Sequence, residues 1–214
     1  MLPLTFPEGG PGLVLCLGAH CDDVEIGCGG TLAVLGKRFP RARFHWMVLS
    51  GDDVREAETR DAAGHVHGGV AHTVEVARFR GSYFPACSAE LKDHFEALKA
   101  RVTPDLILTH RLEDRHQDHR VVAELTWNTF RSHTILEYEI PKYEGDLGLP
   151  NLYVPLPRAA VDEKVEMLMK CFPSQRERAW FTEDLFRAHL RLRGVECNAP
   201  SGFAEALYAR KLVI

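Results

Sequence analysis

The chain has 214 residues, 45% hydrophobic and 26% charged. At roughly 100–200 residues per domain this is one globular domain, and the balance excludes disordered, collagen-like and coiled-coil chains. Twenty-six Lys and Arg against thirty Asp and Glu leave a net charge of -4, so no strongly basic face is implied and nucleic acid is not an expected partner. Eleven histidines are a surplus, and histidine is the commonest metal ligand and the usual proton carrier near neutral pH.

The opening stretch MLPLTFPEGGPG has neither the basic region nor the apolar core of a signal peptide. The longest apolar stretch near the start, Leu13 to Leu17, is strand-sized, so no membrane span is expected. The six cysteines (16, 21, 28, 87, 171 and 197) form no CxxC pair. With no secretory signal they are expected as reduced thiols of a cytoplasmic protein.

Residues 12–18 (GLVLCLG) form an apolar run typical of a strand buried on both faces of a parallel sheet. An Asp- and Gly-rich stretch follows, and then TLAVLGKRF reads as helix. A second strand is expected at 43–50, closed by Gly51-Asp52-Asp53, where Asp52 or Asp53 caps a helix running to about Gly64. Residues 71–79 read as a third strand, a helix opens at Ser88, and PDLILTH (104–110) is a fourth, buried strand. Helix is expected over 118–131 and a fifth strand over 134–140. Strand and helix thus alternate at about 30-residue intervals, the rhythm of βαβ units. The expected fold is α/β, a Rossmann-like, mostly parallel sheet with helices on both faces, in a single domain spanning 1–214.

Beyond Ile140 the rhythm changes. Residues 141–157 are a proline-rich loop containing one short strand, NLYVPL. Helices are expected at 160–171 and 174–193, with Gly194 stopping the second. The closing segment FAEALYARKLVI reads equally as strand or helix. Trp46, Trp127 and Phe130 sit at core spacing.

Two polar clusters fall at the carboxyl ends of strands, where open α/β sheets bind ligands. One is His20-Cys21-Asp22-Asp23 after the first strand; the other is Asp114 to His119 after the fourth. Either alone is an ordinary turn or helix surface. Together they supply what a catalytic zinc needs: about three His and carboxylate ligands with one position left open. His20 and Asp23 in one tight turn can share an ion. Either His116 or His119 can complete the set, the other facing substrate, and Asp22 is left to take a proton from water. Gly27-Cys28-Gly29-Gly30 reads as a close-packing helix entry or as a weak anion cradle; it does not match GxGxxG.

From His20-Cys21-Asp22-Asp23 through Gly27-Cys28-Gly29-Gly30-Thr31 the sequence resembles the AHPDDE…GCGGT motif of the LmbE/PIG-L family of zinc-dependent N-acetylglucosaminyl deacetylases. His116-Gln117-Asp118-His119-Arg120 is similar to that family's HxDHR motif. Looser likenesses at Arg55-Glu56-Ala57-Glu58, Arg193-Gly194 and Ala204-Glu205-Ala206 extend the resemblance over nearly the whole chain.

The resemblance implies zinc (Zn2+) bound by His20, Asp23 and His119, with Asp22 as general base. It implies His116 as the group that stabilises the oxyanion or protonates the leaving amine. Asp118 is then a candidate for orienting one imidazole, and Arg55 matches a position touching sugar hydroxyls. Cys21 stands where the family has proline, and Glu25 is displaced from the family's acid. His110, ending the fourth strand, is a candidate pocket residue. Asp114 either orients His116 or turns the chain. His65, His67 and His72 read as surface or helix-end histidines.

The implied substrate is an N-acylated sugar or sugar conjugate. An amidase, deformylase or esterase would use the same metal site. A Rossmann-like module binding a nucleotide at 27–31 is the non-catalytic alternative. Nothing in the composition excludes a homo-oligomer.

Overall fold

The computed structural model describes residues 5–6 and 8–212; part of the opening stretch (residues 1–4 and 7) and the last two residues lie outside it. Among the described residues are seven strands and six α-helices. The strands are β1 (Leu13–His20), β2 (Arg43–Ser50), β3 (His72–Val76), β4 (Leu106–His110), β5 (Thr134–Tyr138), β6 (Leu152–Pro155) and β7 (Ala204–Ala209). The helices are α1 (Asp23–Arg38), α2 (Asp53–His67), α3 (Ser88–Arg101), α4 (Gln117–Thr129), α5 (Arg158–Cys171) and α6 (Glu183–Glu196). Among the described residues no helix is long and apolar enough to cross a membrane.

All strands lie in one sheet of order β3-β2-β1-β4-β5-β7-β6. The first five run parallel, and β7 pairs antiparallel with both β5 and β6. β1 carries no charged side chain before its last residue, so it is stable only at the centre, paired on both edges and covered on both faces. Val14 to Leu17 are fully buried there. One apolar layer packs α1, α2, α5 and α6 against the sheet around Trp46, Phe44 and Tyr138. The other packs α3 and α4 around Phe84, Phe95 and Phe130. From β1 the chain winds outward through β2 and β3, then returns to the other side of β1 as β4. The crevice beyond the carboxyl ends of β1 and β4 is therefore the topological switch point.

Three sequence expectations change. The helix read as 174–193 begins at Glu183, behind a short 3-10 turn at Pro173–Gln175, and Thr182 caps it. Gly194 does not stop it: it is buried within α6, and a Cβ there would stand 2.2 Å from the Gly202 carbonyl oxygen. The glycine is a contact between α6 and the turn leading into β7. Of the ambiguous last segment, Ala204–Ala209 is strand, and the last two residues lie outside the described ones.

The third change concerns the glycine-rich stretch. α1 begins at Asp23, eight residues earlier than read, and it kinks at Cys28 (φ -147°, ψ 15°). The kink frees the N–H groups of Gly30 and Thr31, and both donate to the Glu205 carboxylate, at 2.8 and 2.5 Å. Lys164 donates to the same carboxylate and to the Ile26 carbonyl. The anion at this cradle is the protein's own side chain, and Gly27 to Thr31 are buried. That removes the nucleotide-binding alternative at this turn. A Cβ on Gly27 would lie 2.1 Å from the Tyr138 ring, so close packing is the glycine's reason.

Glu205 and Lys164 are buried at 2% and 4% exposure, so removing one strands the other's charge. Glu205→Ala is expected to cost about 3–5 kcal/mol, measured by urea denaturation. Replacing the pair together with apolar residues should recover part of that loss, and a single variant as stable as the parent would contradict this account.

Candidate active site

β1 ends at His20, and the chain then turns sharply into α1. Asp22, the cap residue, has φ 116° and ψ -21°, a left-handed conformation that costs a non-glycine residue on the order of 1–3 kcal/mol. The turn is held by the His20 backbone N–H donating to Asp23 Oδ2 at 2.7 Å. Asp23 also sits in the first turn of α1, where the helix dipole favours a carboxylate.

The second arm follows β4. Asp114 Oδ1 accepts the His116 backbone N–H at 2.8 Å, setting His116 as the cap of α4, with Asp118 and His119 in the first turn. His119 Nδ1 donates to Asp114 Oδ2 (3.0 Å), and His20 Nε2 donates to Asp118 Oδ2 (3.1 Å). Asp118 is itself fixed by the N–H groups of Ser82 and Phe84, and Asp114 by Lys142 Nζ at 2.9 Å.

With the outer nitrogen of each imidazole donating to a carboxylate, the inner nitrogens of neutral rings carry lone pairs. These inner atoms, His20 Nδ1 and His119 Nε2, face each other at 3.3 Å. Each also lies 3.4–3.5 Å from the Asp23 carboxylate. Two lone pairs and an anion converging at that separation repel unless a cation lies among them. An ion about 2.0–2.1 Å from tetrahedral donors spaces those donors about 3.3–3.4 Å apart; the two imidazole nitrogens match that spacing, with Asp23 Oδ2 beside His20 and Oδ1 beside His119. Without one, a proton does the same work. Burial opposes charging His20, but Asp23, Asp118 and Asp22 together push it up to about 10. His119, wholly buried beside His110, is pushed down to about 3. His116 presents a further nitrogen within 4.8 Å of the His20 and His119 donors.

Asp22 and His116 flank this cluster. Burial pushes the Asp22 carboxyl up to about 7, against the opposing pull of Arg55, whose Nη2 lies 3.1 Å from Asp22 Oδ1. Burial and the nearby His20 lower His116 below the usual imidazole range. Both groups line a cavity of about 770 Å³ with His20, Asp23 and His119. Its far wall is Lys142, Tyr143, Glu144, Gln175, Arg178 and Trp180.

Of the residues singled out in the sequence, His20, Asp22, Asp23, Arg55, His116 and His119 converge on this cavity. Arg55 is ion-paired to Asp22 and lies 3.7 Å from Glu58 Oε2, a placement that spacing did not reveal. His110 is fully buried behind the site, its Nε2 3.1 Å from Asp23 Oδ2 and its ring stacked on His119; it does not line the cavity. Asp114 holds the His119 ring and touches only the backbone of His116. Cys21 turns its Sγ toward the Ser50 carbonyl oxygen (3.6 Å), and burial pushes the thiol up to about 12. Glu25 is completely buried and does not line the cavity either. His67, read as a surface histidine, is buried and accepts the Trp46 Nε1–H at 2.9 Å. Sequence reading missed Lys142, Glu144, Gln175 and Arg178; the signal for the first two was that the proline-rich loop leaves the carboxyl end of β5, while Gln175 and Arg178 come from the turn between α5 and α6, which carried none.

A carboxyl raised above its unfolded value stabilises the fold only while protonated. As pH rises from about 4, the ordinary Asp value, through about 7, the folded metal-free protein holds that proton more tightly than the unfolded chain, so stability falls. Asp22→Asn, which cannot ionise, should be the more stable metal-free protein at pH 8 by a few kcal/mol. The gap should close below pH 4, and urea titrations at both pH values measure it.

The GlcNAc-PI de-N-acetylase (PIG-L) family model matches residues 15–130, which contain both arms of the site. Solved structures share the fold at low identity. A conserved protein of Thermus thermophilus is 19% identical, with 94% of this chain and 96% of that one covered and a TM-score of 0.72. A 4-carboxy-2-hydroxymuconate hydratase from Pseudomonas putida is 17% identical (94% and 97% covered, TM-score 0.71). An N,N'-diacetylchitobiose deacetylase from Pyrococcus horikoshii is 16% identical (92% and 83% covered, TM-score 0.65). With more than half its length matched by the family model, and both polar clusters within the match, the chain belongs to the PIG-L family.

Proposed function

We propose that the protein is a zinc-dependent hydrolase that removes an acetyl or similar acyl group from the nitrogen of an amino-sugar conjugate. The observation that carries this reading is the convergence of His20, Asp23 and His119 donors at 3.3–3.5 Å, with Asp22 and His116 flanking them in one cavity. Membership of a de-N-acetylase family supports the reaction class, and the deacetylase from Pyrococcus horikoshii has the same fold. Zinc is proposed because two imidazoles and a carboxylate are its usual donors at open catalytic sites. Six unpaired cysteines fit a reducing, cytoplasmic setting.

His20, Asp23 and His119 would hold the ion, which when bound supplies a Lewis acid for the acyl carbonyl and lowers the pKa of water. Asp22 takes the proton of the attacking water on a carboxylate oxygen; a pKa near neutrality suits both accepting that proton and releasing it. Arg55 fixes the direction of that carboxylate and limits how far burial can raise it. His116, on the opposite side, donates toward the oxygen that becomes an oxyanion or toward the departing amine. Asp118 and Asp114 fix the ring orientation and tautomer of His20 and His119. Lys142 holds Asp114 and so joins the loop after β5 to the metal-ligand shell. Amidase, deformylase and esterase activities would need the same donors, so substrate separates them.

Metal analysis with amine release from a panel of N-acetylated sugars tests the reading. We expect about one catalytic zinc per chain, and loss of turnover on chelation with recovery on adding zinc. Chelation without effect would contradict it. Asp22→Asn should keep the metal and lose turnover. His116→Ala should lower turnover about 10²–10³-fold, the usual worth of one oxyanion donor, with zinc retained. Loss of the metal from that variant would exchange the roles given to His116 and His119. Asp118→Asn should weaken metal affinity about 10–100-fold, read by competition with a chelating dye.

A further inference from the structure

Farther along α2 from the catalytic cavity, Asp61 and His65 stand one helical turn apart and so project from the same side. Beside them ends α5, whose last residue is Cys171. One donor atom from each of the three residues lies within 4.8 Å of the other two. His65 Nε2 is 3.8 Å from Asp61 Oδ1, too far for a hydrogen bond, and burial, with the Asp61 carboxylate nearby, pushes the Cys171 thiol up to about 12. Asp61 and His65 have exposed side chains free to adjust, while Cys171 is buried at 4% exposure on the seam between the helices.

We propose that Asp61, His65 and Cys171 form a second metal site, taking a borderline-to-soft divalent ion such as zinc or cadmium where α2 packs against α5. A thiolate, an imidazole and a carboxylate suit such ions and disfavour magnesium and calcium, which take oxygen donors. Binding forms a metal–sulfur bond as the thiol proton passes to solvent, and water completes the fourth position. The distance each donor must close is short: tetrahedral zinc with these ligands brings donor atoms to about 3.3–3.6 Å of each other.

The site has a route to the catalytic cavity. The same two helices frame the seam where Glu58 of α2 accepts the Ser174 backbone N–H (2.9 Å) and hydroxyl (2.6 Å), just past the end of α5. Ser174 lines the catalytic cavity, and Arg55, one turn before Glu58, pairs with Asp22. An ion cross-linking Asp61 and His65 to Cys171 would tie together the wall that carries Arg55 and Ser174. Its role would be to fasten that wall, not to perform chemistry.

Cobalt distinguishes the two sites, because among the proposed ligands only Cys171 is a thiolate. Titrating metal-free protein with Co2+ should load two equivalents and produce an intense near-ultraviolet thiolate-to-cobalt band. Cys171→Ser should bind one equivalent without that band, and the exposed substitution His65→Ala should also lose one equivalent. The paired variant His20→Ala with His119→Ala should retain the band. Zinc beyond the first equivalent should raise the Tm of the parent protein and not of His65→Ala. A parent protein that binds a single equivalent and shows no thiolate band would overturn the proposal, as would a band that survives in Cys171→Ser. Each readout is independent of turnover, so the hydrolase reading stands or falls separately.

Discussion

The site is organised around one buried carboxylate. Asp23 accepts the backbone N–H of His20, three residues before it, and closes the turn that ends β1. It also lies against the rings of His20, His110 and His119, the last two delivered by β4 and α4. A carboxylate at 4% exposure is expensive unless compensated; here the surrounding imidazoles outweigh burial and hold it well below the usual range. The group that fastens the two arms of the fold is therefore also an ionised carboxylate in the cavity wall. Its demand for positive charge is met by a proton on His20 or by a metal ion. Folding and cation binding at this site are two expressions of one electrostatic constraint.

A second constraint is set far away in sequence. α1 must present its first turn to the cavity and still pack tightly beneath Tyr138, and it does so by kinking at Cys28. The N–H groups this releases would be unsatisfied in the core. β7 resolves the conflict by supplying Glu205, with Lys164 of α5 balancing the charge. The antiparallel end of the sheet thus completes a helix that begins at the active turn. The likeness of Ala204-Glu205-Ala206 to the family's pattern has this physical content.

Much of the frame was legible because burial on both faces leaves little choice of sequence. β1 and β4 read as apolar runs, and the polar residues after them could lie only at the sheet edge. His20, Asp22, Asp23, His116 and His119 were found through that edge rule and their spacing. What stayed hidden depends on contacts between distant segments. His110 looked like a pocket residue because it ends a strand, yet its ring is spent behind Asp23. Gly194 resembled a helix stop because nothing local reveals the turn at Gly202 that presses on it. His67 looked exposed on helical position alone, whereas its partner Trp46 lies on a strand 21 residues earlier. Arg55 matches a family position that touches sugar hydroxyls, and only the fold carries it to Asp22.

Asp22 shows how the scaffold separates architecture from chemistry. It occupies a left-handed position that a glycine would fill at less conformational cost, so its side chain has to repay the strain through what it contacts. Burial and the neighbouring Asp23 favour its neutral form, while Arg55 and His20 favour the anion. The result is a carboxyl able to change protonation near neutral pH. Without Arg55, burial would hold the acid more firmly in its neutral form; with the turn exposed, it would return toward the ordinary Asp value. The same fold occurs in a hydratase and in a deacetylase, so the sheet cannot decide the reaction. On the proposed reading, the decision falls to the balance among Asp22, Arg55 and His116, and to the loop after β5, which line the same cavity.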